Sequence, residues 1–428
     1  MIIKKIKSIK GMHDYLPEEL NTWQKIEILL KKIFRNYGYC EIRLPILEKT
    51  QLFTRSIGKI TDIVEKEMYT FFDKKNNSIT LRPESTANCA RAILQNNLLK
   101  NIKQRFWYFG PMFRYERPQK GRYRQFYQFG CEIYGLHGPK IELELILLLS
   151  RLWKMLDIHD HIHLEINSIG NVLSREKYKY DFINYLKVKK KFLDKDSQNR
   201  LYKNPLRILD SKNKNTQKIL KKAPILLNYL DENSKKKFDI LCQSIKELGI
   251  SFTINENLIR GLDYYNDIVF EWKIKSSQLG TQNTICAGGR YDRLIKILGG
   301  PDTPALGCAI GMERLVSIVN SKEKNFSINT KTDIYIISTN LKKNIQFIKY
   351  IEKIRNFFLQ LSIVEDLNVG SIKKKNIRAR KFQPKIILFI DNDLFQKEKI
   401  EVTYFDKKCS KIISIKKIFF LLEKFFKK

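Results

Sequence analysis

Five arginines, Arg105, Arg114, Arg117, Arg122 and Arg124, crowd in and around one short stretch, YFGPMFRYERPQKGRYRQFYQFGCEIYG, at residues 108–135. A guanidinium stays charged and its planar fork donates two parallel hydrogen bonds, which suits it to gripping phosphate. The stretch alternates aromatic and charged residues, breaks at RPQKG and alternates again, as a hairpin does. Period-two spacing puts Arg124, Phe126, Gln128, Gly130 and Glu132 on one face of the second strand, with Arg114 and Glu116 together on one face of the first. A polar face between aromatic strands reads as a lined pocket rather than a solvated sheet face. Phe126 offers it a surface on which a base can stack.

Elements able to position such a pocket lie on both sides. Residues 20–37 place Trp23, Ile26, Leu30, Ile33, Phe34 and Tyr37 at helical spacing, and Gly38 ends the run. YCEIRLPILE follows with Pro45 inside it, and proline lacks the amide a central strand needs, so an edge or interface strand is expected. EMYTFFD, SITLRPE and the two hairpin segments read as antiparallel strands, with STANCARAILQNN as a helix between two of them. Residues 171–250 are Lys-rich and helix-compatible, the texture of an inserted helical subdomain. LIRGLDYYNDIVFEW and QNTICAGGRYD then resume the sheet, and ALGCAIGMERLVSIV reads as a buried strand running into a helix. Beyond about residue 328, strands and helices alternate through TDIYIIST, LSIVEDL and KIILFID, which implies a small α/β module.

At 428 residues the chain has room for about two or three domains. Its formal charge of +35 fits a polyanionic partner such as nucleic acid, or a lysine-rich composition with a solvated surface and no partner. Seven cysteines are scattered without a CxxC pair, which suits reduced thiols. Three of the five histidines sit in HDHIH (159–163), where period two predicts one face of a strand; without a cysteine or paired carboxylates nearby they read as exposed strand residues, not metal ligands. The N-terminal apolar run is too short for a signal peptide and no apolar stretch of about 18 residues occurs, so a cytoplasmic protein without a membrane anchor is expected.

FRYERPQKGRYRQF resembles motif 2 of the class II aminoacyl-tRNA synthetases, and ALGCAIGMERL, with Arg314, resembles motif 3. The helix and proline strand up to Pro45 are similar to motif 1, which forms the dimer interface in that class. LIRGLDYYNDIVFEW and AGGRYD are similar to the two histidine-specific peptides of the histidyl-tRNA synthetase family, and the resemblance runs from KGMHDYLPEE through the C-terminal module.

The resemblance implies an α+β fold: a six-stranded antiparallel catalytic core flanked by helices (1–170 and 251–327), a helical insertion (171–250) and an α/β anticodon-binding domain (328–428). It implies a homodimer that joins L-histidine to its tRNA through a histidyl-adenylate. Arg114 matches the arginine on the α-phosphate of ATP, and Arg260 the second catalytic arginine, which bridges substrate carboxylate and α-phosphate. Arg314 and Phe126 match the residues on the two adenine faces, with Glu116 beside them in the ATP site. Glu84, Thr86 and Gln128 match the residues holding the α-ammonium of histidine; Glu132 and Tyr265 match those reading the imidazole nitrogens, with Tyr264 adjoining. Ser85 belongs to the same histidine-binding stretch but stands where the family usually has glycine. Arg117, Gln119, Lys120 and Arg122 are expected to meet the tRNA acceptor end. Magnesium is implied with ATP, and no motif supplies a protein metal site.

Two other readings stand beside this one. A catalytically silent paralogue regulates ATP phosphoribosyltransferase, but it typically lacks the C-terminal domain and an intact RGLDYY arginine, both present here. A basic nucleic-acid-binding protein without catalysis accounts for the charge and leaves Glu84, Gln128, Glu132 and Arg260 unexplained.

Overall fold

Helix Pro17–Asn36 starts where proline occupies the first turn and has no amide to leave unsatisfied, with Glu18 and Glu19 at the positive end of the helix dipole. It buries Trp23, Ile26, Leu30, Ile33 and Phe34 along one stripe. Gly38 follows in a left-handed conformation (φ 78°) that favours glycine and turns the chain out of the helix. The computed structural model describes residues 5–58, 60–100, 104–119, 121–275, 283–322, 332–339, 345–406 and 409–426. The chain divides into two units, 1–324 and 325–428.

The first unit contributes β1 (Cys40–Glu41), β2 (Leu47–Lys49), β3 (Tyr69–Phe72), β4 (Ser78–Leu81), β5 (Arg105–Phe113), β6 (Gln125–Tyr134), β7 (Ile162–Ser168), β8 (Phe252–Ile254), β9 (Asn266–Ile274), β10 (Thr284–Arg290) and β11 (Ala305–Gly311). Eight of these form one sheet in the order β1-β5-β6-β11-β10-β9-β7-β8. The six expected antiparallel strands run from β5 to β7, and each outer edge carries one further short strand in parallel, β1 on β5 and β8 on β7. A separate three-stranded sheet, β2-β4-β3, carries the chain into helix Thr86–Gln95. Pro45 lies in the link between β1 and β2 rather than inside a strand. The three histidines do not share a strand face either: His159–His161 is one turn of 3-10 helix, and only His163 lies on β7.

Between β7 and β8 the chain forms helices Val172–Val188, Lys195–Lys203, Lys214–Leu220 and Glu232–Glu247. Asn171, Asp194, Asn213 and Asp231 cap them in turn, each side chain accepting from a backbone amide of the first turn. A cap of this kind satisfies donors that the helix itself cannot. Tyr178, Phe182, Leu186, Leu201 and Leu226 from this region share one buried cluster with Tyr264, Tyr265 and Val269. The helices are therefore packed against the segment that enters β9, which fixes its place.

The second unit holds β12 (Ile334–Ser338), β13 (Ile363–Glu365), β14 (Ile386–Ile390), β15 (Lys399–Tyr404) and β16 (Cys409–Ser414) in the order β13-β12-β14-β15-β16. The first three are mutually parallel, as the alternating strands and helices predict, and β15 and β16 add an antiparallel edge. Phe347, Ile351, Ile354, Ile418 and Leu422 from its helices bury against Ile334, Ile336, Leu388 and Val402. Asp366, fully buried, is held by the Arg378 guanidinium at 2.9 Å. All seven cysteines are free thiols. Among the described residues, no helix is long and apolar enough to cross a membrane.

Candidate active site

Side chains from β6, β9, β10 and β11, the β5–β6 hairpin loop and the segment before β9 enclose a cavity of about 280 Å³. The sheet makes room for it with glycine. A Cβ at Gly130 would lie 2.4 Å from the Tyr108 hydroxyl oxygen, and one at Gly307 would lie 2.0 Å from Glu132 Oε2. Tyr108 and Gly130 are direct partners in the β5–β6 register, as are Glu132 and Gly307 in β6–β11. Bare backbone at these two positions admits a ring and a carboxyl that would otherwise collide with it.

Glu84, Thr86, Gln128, Tyr264 and Tyr265 line the cavity. Glu84 accepts from the amides of Thr86 at 2.6 Å and Ala87 at 2.9 Å, so it also caps helix Thr86–Gln95. Burial raises its pKa despite those bonds. Ser85 is fully buried and turns away, its hydroxyl 3.4 Å from the Met112 sulfur. Glu132 lies one layer below the cavity wall. Thr86 Oγ1 at 2.8 Å and the Tyr108 hydroxyl at 2.9 Å donate to its Oε1, and Tyr291 donates to Oε2. Burial pushes its carboxyl up to about 8, against the lowering effect of these hydroxyls.

Arg114, Glu116, Phe126 and Arg314 line the same cavity. The Arg114 guanidinium sits 5.2 Å from the Phe126 ring centre and donates from Nε to the Pro83 carbonyl at 2.9 Å. Arg314 is held by main chain on two sides, Nε on Gly121 O at 3.0 Å and Nη1 on Thr284 O at 2.7 Å. Burial lowers its pKa. The Arg260 guanidinium lies 5.6 Å from the Tyr265 ring centre and pairs with Glu271, whose other oxygen accepts the Thr284 hydroxyl at 2.9 Å.

The five hairpin arginines part company. Arg114 and Arg122 face the cavity, and Arg122 pairs there with Glu116 instead of pointing to solvent. Arg117 and Gln119 are exposed on the loop, where Gln119 and Arg122 close a tight turn through N–H···O bonds of 3.1 and 2.9 Å. Lys120 lies outside the described residues. Arg124 leaves the expected face: it stacks 3.8 Å over Tyr115, while its amide donates to Gly11 O at 2.7 Å. Arg105 pairs with Glu144 at the far end of β5.

Residues 11–315 match the sequence profile described as histidyl-tRNA synthetase. The chain belongs to the histidyl-tRNA synthetase family. It is 54% identical over 424 residues to a histidine–tRNA ligase of Buchnera aphidicola subsp. Schizaphis graminum, covering 97% of this chain and 99% of that one. It is 51% identical over 387 residues to the ligase of B. aphidicola subsp. Baizongia pistaciae, with 90% of each covered. A crystal structure of apo S. aureus histidyl-tRNA synthetase superposes with a TM-score of 0.78 at 30% identity, spanning 99% of this chain and 100% of that one. The class II synthetase fold expected from the motifs is thus the fold of this chain.

Several cavity residues lie inside or beside the motifs, which gave them no role. Glu271 and Thr284 line the wall, and Glu313 accepts from the Tyr15 hydroxyl and the Tyr127 amide, both at 2.7 Å. The AGGRYD segment acts through two neighbours: Tyr291 reaches Glu132, and Arg290 is buried against Glu142 at 2.6 Å. An acid inside the apolar strand VFEWK was the available hint for Glu271.

Proposed function

We propose that this chain joins L-histidine to its tRNA by forming histidyl-adenylate in the cavity lined by Glu84, Gln128, Tyr265, Arg114, Phe126 and Arg314. One observation carries the assignment of residues: Arg114, Arg260 and Arg314, from segments far apart in sequence, line a single cavity together with groups suited to an amino acid. The chain is a class II aminoacyl-tRNA synthetase specific for histidine.

In the first step a carboxylate oxygen of histidine attacks the α-phosphorus of ATP, the bond to the bridging oxygen breaks, and pyrophosphate leaves. Both reactants are negative, so fixed cations must offset repulsion and meet the charge that grows in the transition state. Arg114 takes the α-phosphate, and Arg260 spans that phosphate and the attacking carboxylate. Adenine lies between Phe126 and Arg314, where stacking on a ring and a guanidinium adds cation–π attraction. Glu84, Thr86 and Gln128 hold the α-ammonium. Tyr265 and Glu132 address the imidazole; Glu132 accepts three hydroxyls, and once ionised it has about one lone-pair site left for a ring N–H. In the second step a ribose hydroxyl of the terminal adenosine attacks the activated carbonyl and AMP leaves.

Magnesium arriving with ATP would keep several waters and commonly uses one or two carboxylates; Glu116 would have to give up its pairing with Arg122 to hold it. Held by a carboxylate, the ion would offset negative charge on the ATP phosphates. Arg117, Gln119 and Lys120 serve the acceptor end of tRNA and residues 328–428 the anticodon, with the chain working as a cytoplasmic homodimer. Histidine-dependent exchange of pyrophosphate into ATP by the purified chain tests the reading; exchange driven equally well by another amino acid overturns it.

A further inference from the structure

Glu271 is out of keeping with the cavity it lines. Both substrates bring negative charge, and a carboxylate on the wall repels them unless it is matched by cations. Its surroundings supply that match. One oxygen pairs with Nη1 of Arg260; the other accepts from Thr284 at 2.9 Å and lies 3.3 Å from the Lys273 ammonium. In the β7–β9 register Glu271 stands directly opposite Glu165, a like-charge arrangement that is unfavourable by itself. Lys273 resolves it, with Nζ 2.7 Å from Glu165. Burial works against the lysine's charge, but Glu271 and Glu165 outweigh it and hold the ammonium above its ordinary range. Glu165 is anchored in turn by Asn255 at 2.6 Å.

Arg260 has the opposite situation. It precedes β9 on a segment without regular secondary structure, and its long side chain needs a fixed point. Glu271 holds Nη1 only. The Arg260 Nε is buried and, among the described residues, has no hydrogen-bond partner. Leaving a buried donor unmet costs free energy, which a bound oxyanion removes. A carboxylate gripping both edges of the fork would compete with substrate; one gripping a single corner leaves the rest available.

We propose that Glu271 is a positioning residue for adenylate formation: tied to Lys273 and Thr284, it holds Arg260 by Nη1 and sets the guanidinium so that its remaining N–H groups meet the histidine carboxylate and the α-phosphate. This rests on the assignment of Arg260 above. Glu271→Gln keeps the shape and the bond from Thr284 but removes the charge. Single-turnover adenylate formation at saturating histidine and ATP should slow about tenfold or more, while equilibrium binding of each substrate changes less than about threefold, since orientation acts in the transition state. In an Arg260→Ala background the same change should cost nothing further, because Glu271 acts only through that arginine.

Losses that multiply in the double variant overturn the proposal, as does a single-variant rate within about twofold of the parent. An unchanged rate in Arg260→Ala alone overturns the Arg260 assignment and this proposal with it, and is seen before the pair is compared. Thr284→Val, which removes one anchor of Glu271, gives the second reading if Glu271→Gln does not fold: a smaller loss of rate with binding retained supports the proposal, and no loss overturns it.

Discussion

Tyr108 donates its hydroxyl to Glu132 at 2.9 Å from the neighbouring strand, across the bare backbone of Gly130. The contact makes the carboxyl part of a built network with Thr86 and Tyr291. Burial favours the protonated carboxyl, and a donor nitrogen of imidazole favours the ionised one; Glu132→Gln retains the shape but cannot ionise to meet it. Histidine affinity should fall by about 1–3 kcal/mol, the usual worth of a hydrogen bond to a charged group. ATP affinity should barely move. Calorimetric titration with each substrate checks both, and unchanged histidine binding would put the imidazole elsewhere.

The same carboxyl predicts a pH dependence of stability. Burial pushes its pKa up to about 8 in the folded chain, well above the ordinary carboxyl range. The folded state therefore holds the proton more tightly than the unfolded state. The associated stability is fully present below the unfolded value and is lost as pH rises through about 8. Melting temperature should drop between pH 6 and pH 9 more in the parent than in Glu132→Gln. Parallel curves for the two proteins would mean that Glu132 is ionised throughout.

Arg260→Lys separates charge from geometry. Lysine keeps the charge and loses the fork that spans two oxyanions. The adenylation rate should fall by roughly a hundredfold or more, as when one transition-state donor is lost. Histidine binding should change much less. Rapid-quench measurement of adenylate at saturating substrates decides it, and a rate within a few-fold of the parent would show that charge suffices.

Arg290 and Glu142 form an ion pair with side chains only 6% and 4% exposed. Arg290→Met leaves Glu142 without its partner, and stability should drop by about 3–5 kcal/mol, as when a buried pair is broken from one side. Replacing both, Arg290→Met with Glu142→Leu, should cost less than the single change. Urea unfolding of the three proteins measures this; a double variant worse than the single one would contradict it.

Removing residues 325–428 takes away the whole second unit. Every residue assigned to adenylate formation lies in the first. Aminoacylation of tRNA should therefore fall far more than histidine-dependent pyrophosphate exchange. Sedimentation of the shortened chain shows whether its oligomeric state has changed, and equal loss of both activities in an unchanged oligomer would count against separate roles for the units.

Much of the site was legible because its chemistry sits in short segments with fixed local geometry. RPEST ends a strand segment and opens helix Thr86–Gln95, and a strand running into a helix places Arg314 at the junction. The hairpin face failed one residue past the strand. β5 ends at Phe113; Arg114 N still donates to Arg124 O at 2.9 Å, but the next amides turn to distant partners, Tyr115 donating to Glu67 O and Arg124 to Gly11 O. Alternation holds only while the ladder does, so Arg124 could not be placed from its spacing. HDHIH failed for a related reason, since a 3-10 turn delays the start of β7 to Ile162.

By itself the sequence determined the order of elements, the helical insertion, and the arginines, acids and aromatics of the candidate site, because periodicity and motifs are local properties. Tertiary structure alone decided which of these meet. Glu271 opposite Glu165, Lys273 between them, Arg260 held by one corner and Tyr291 on Glu132 all depend on strand register and on side chains crossing between strands. Those distances are set by pairing and packing across the whole sheet, which no single segment encodes.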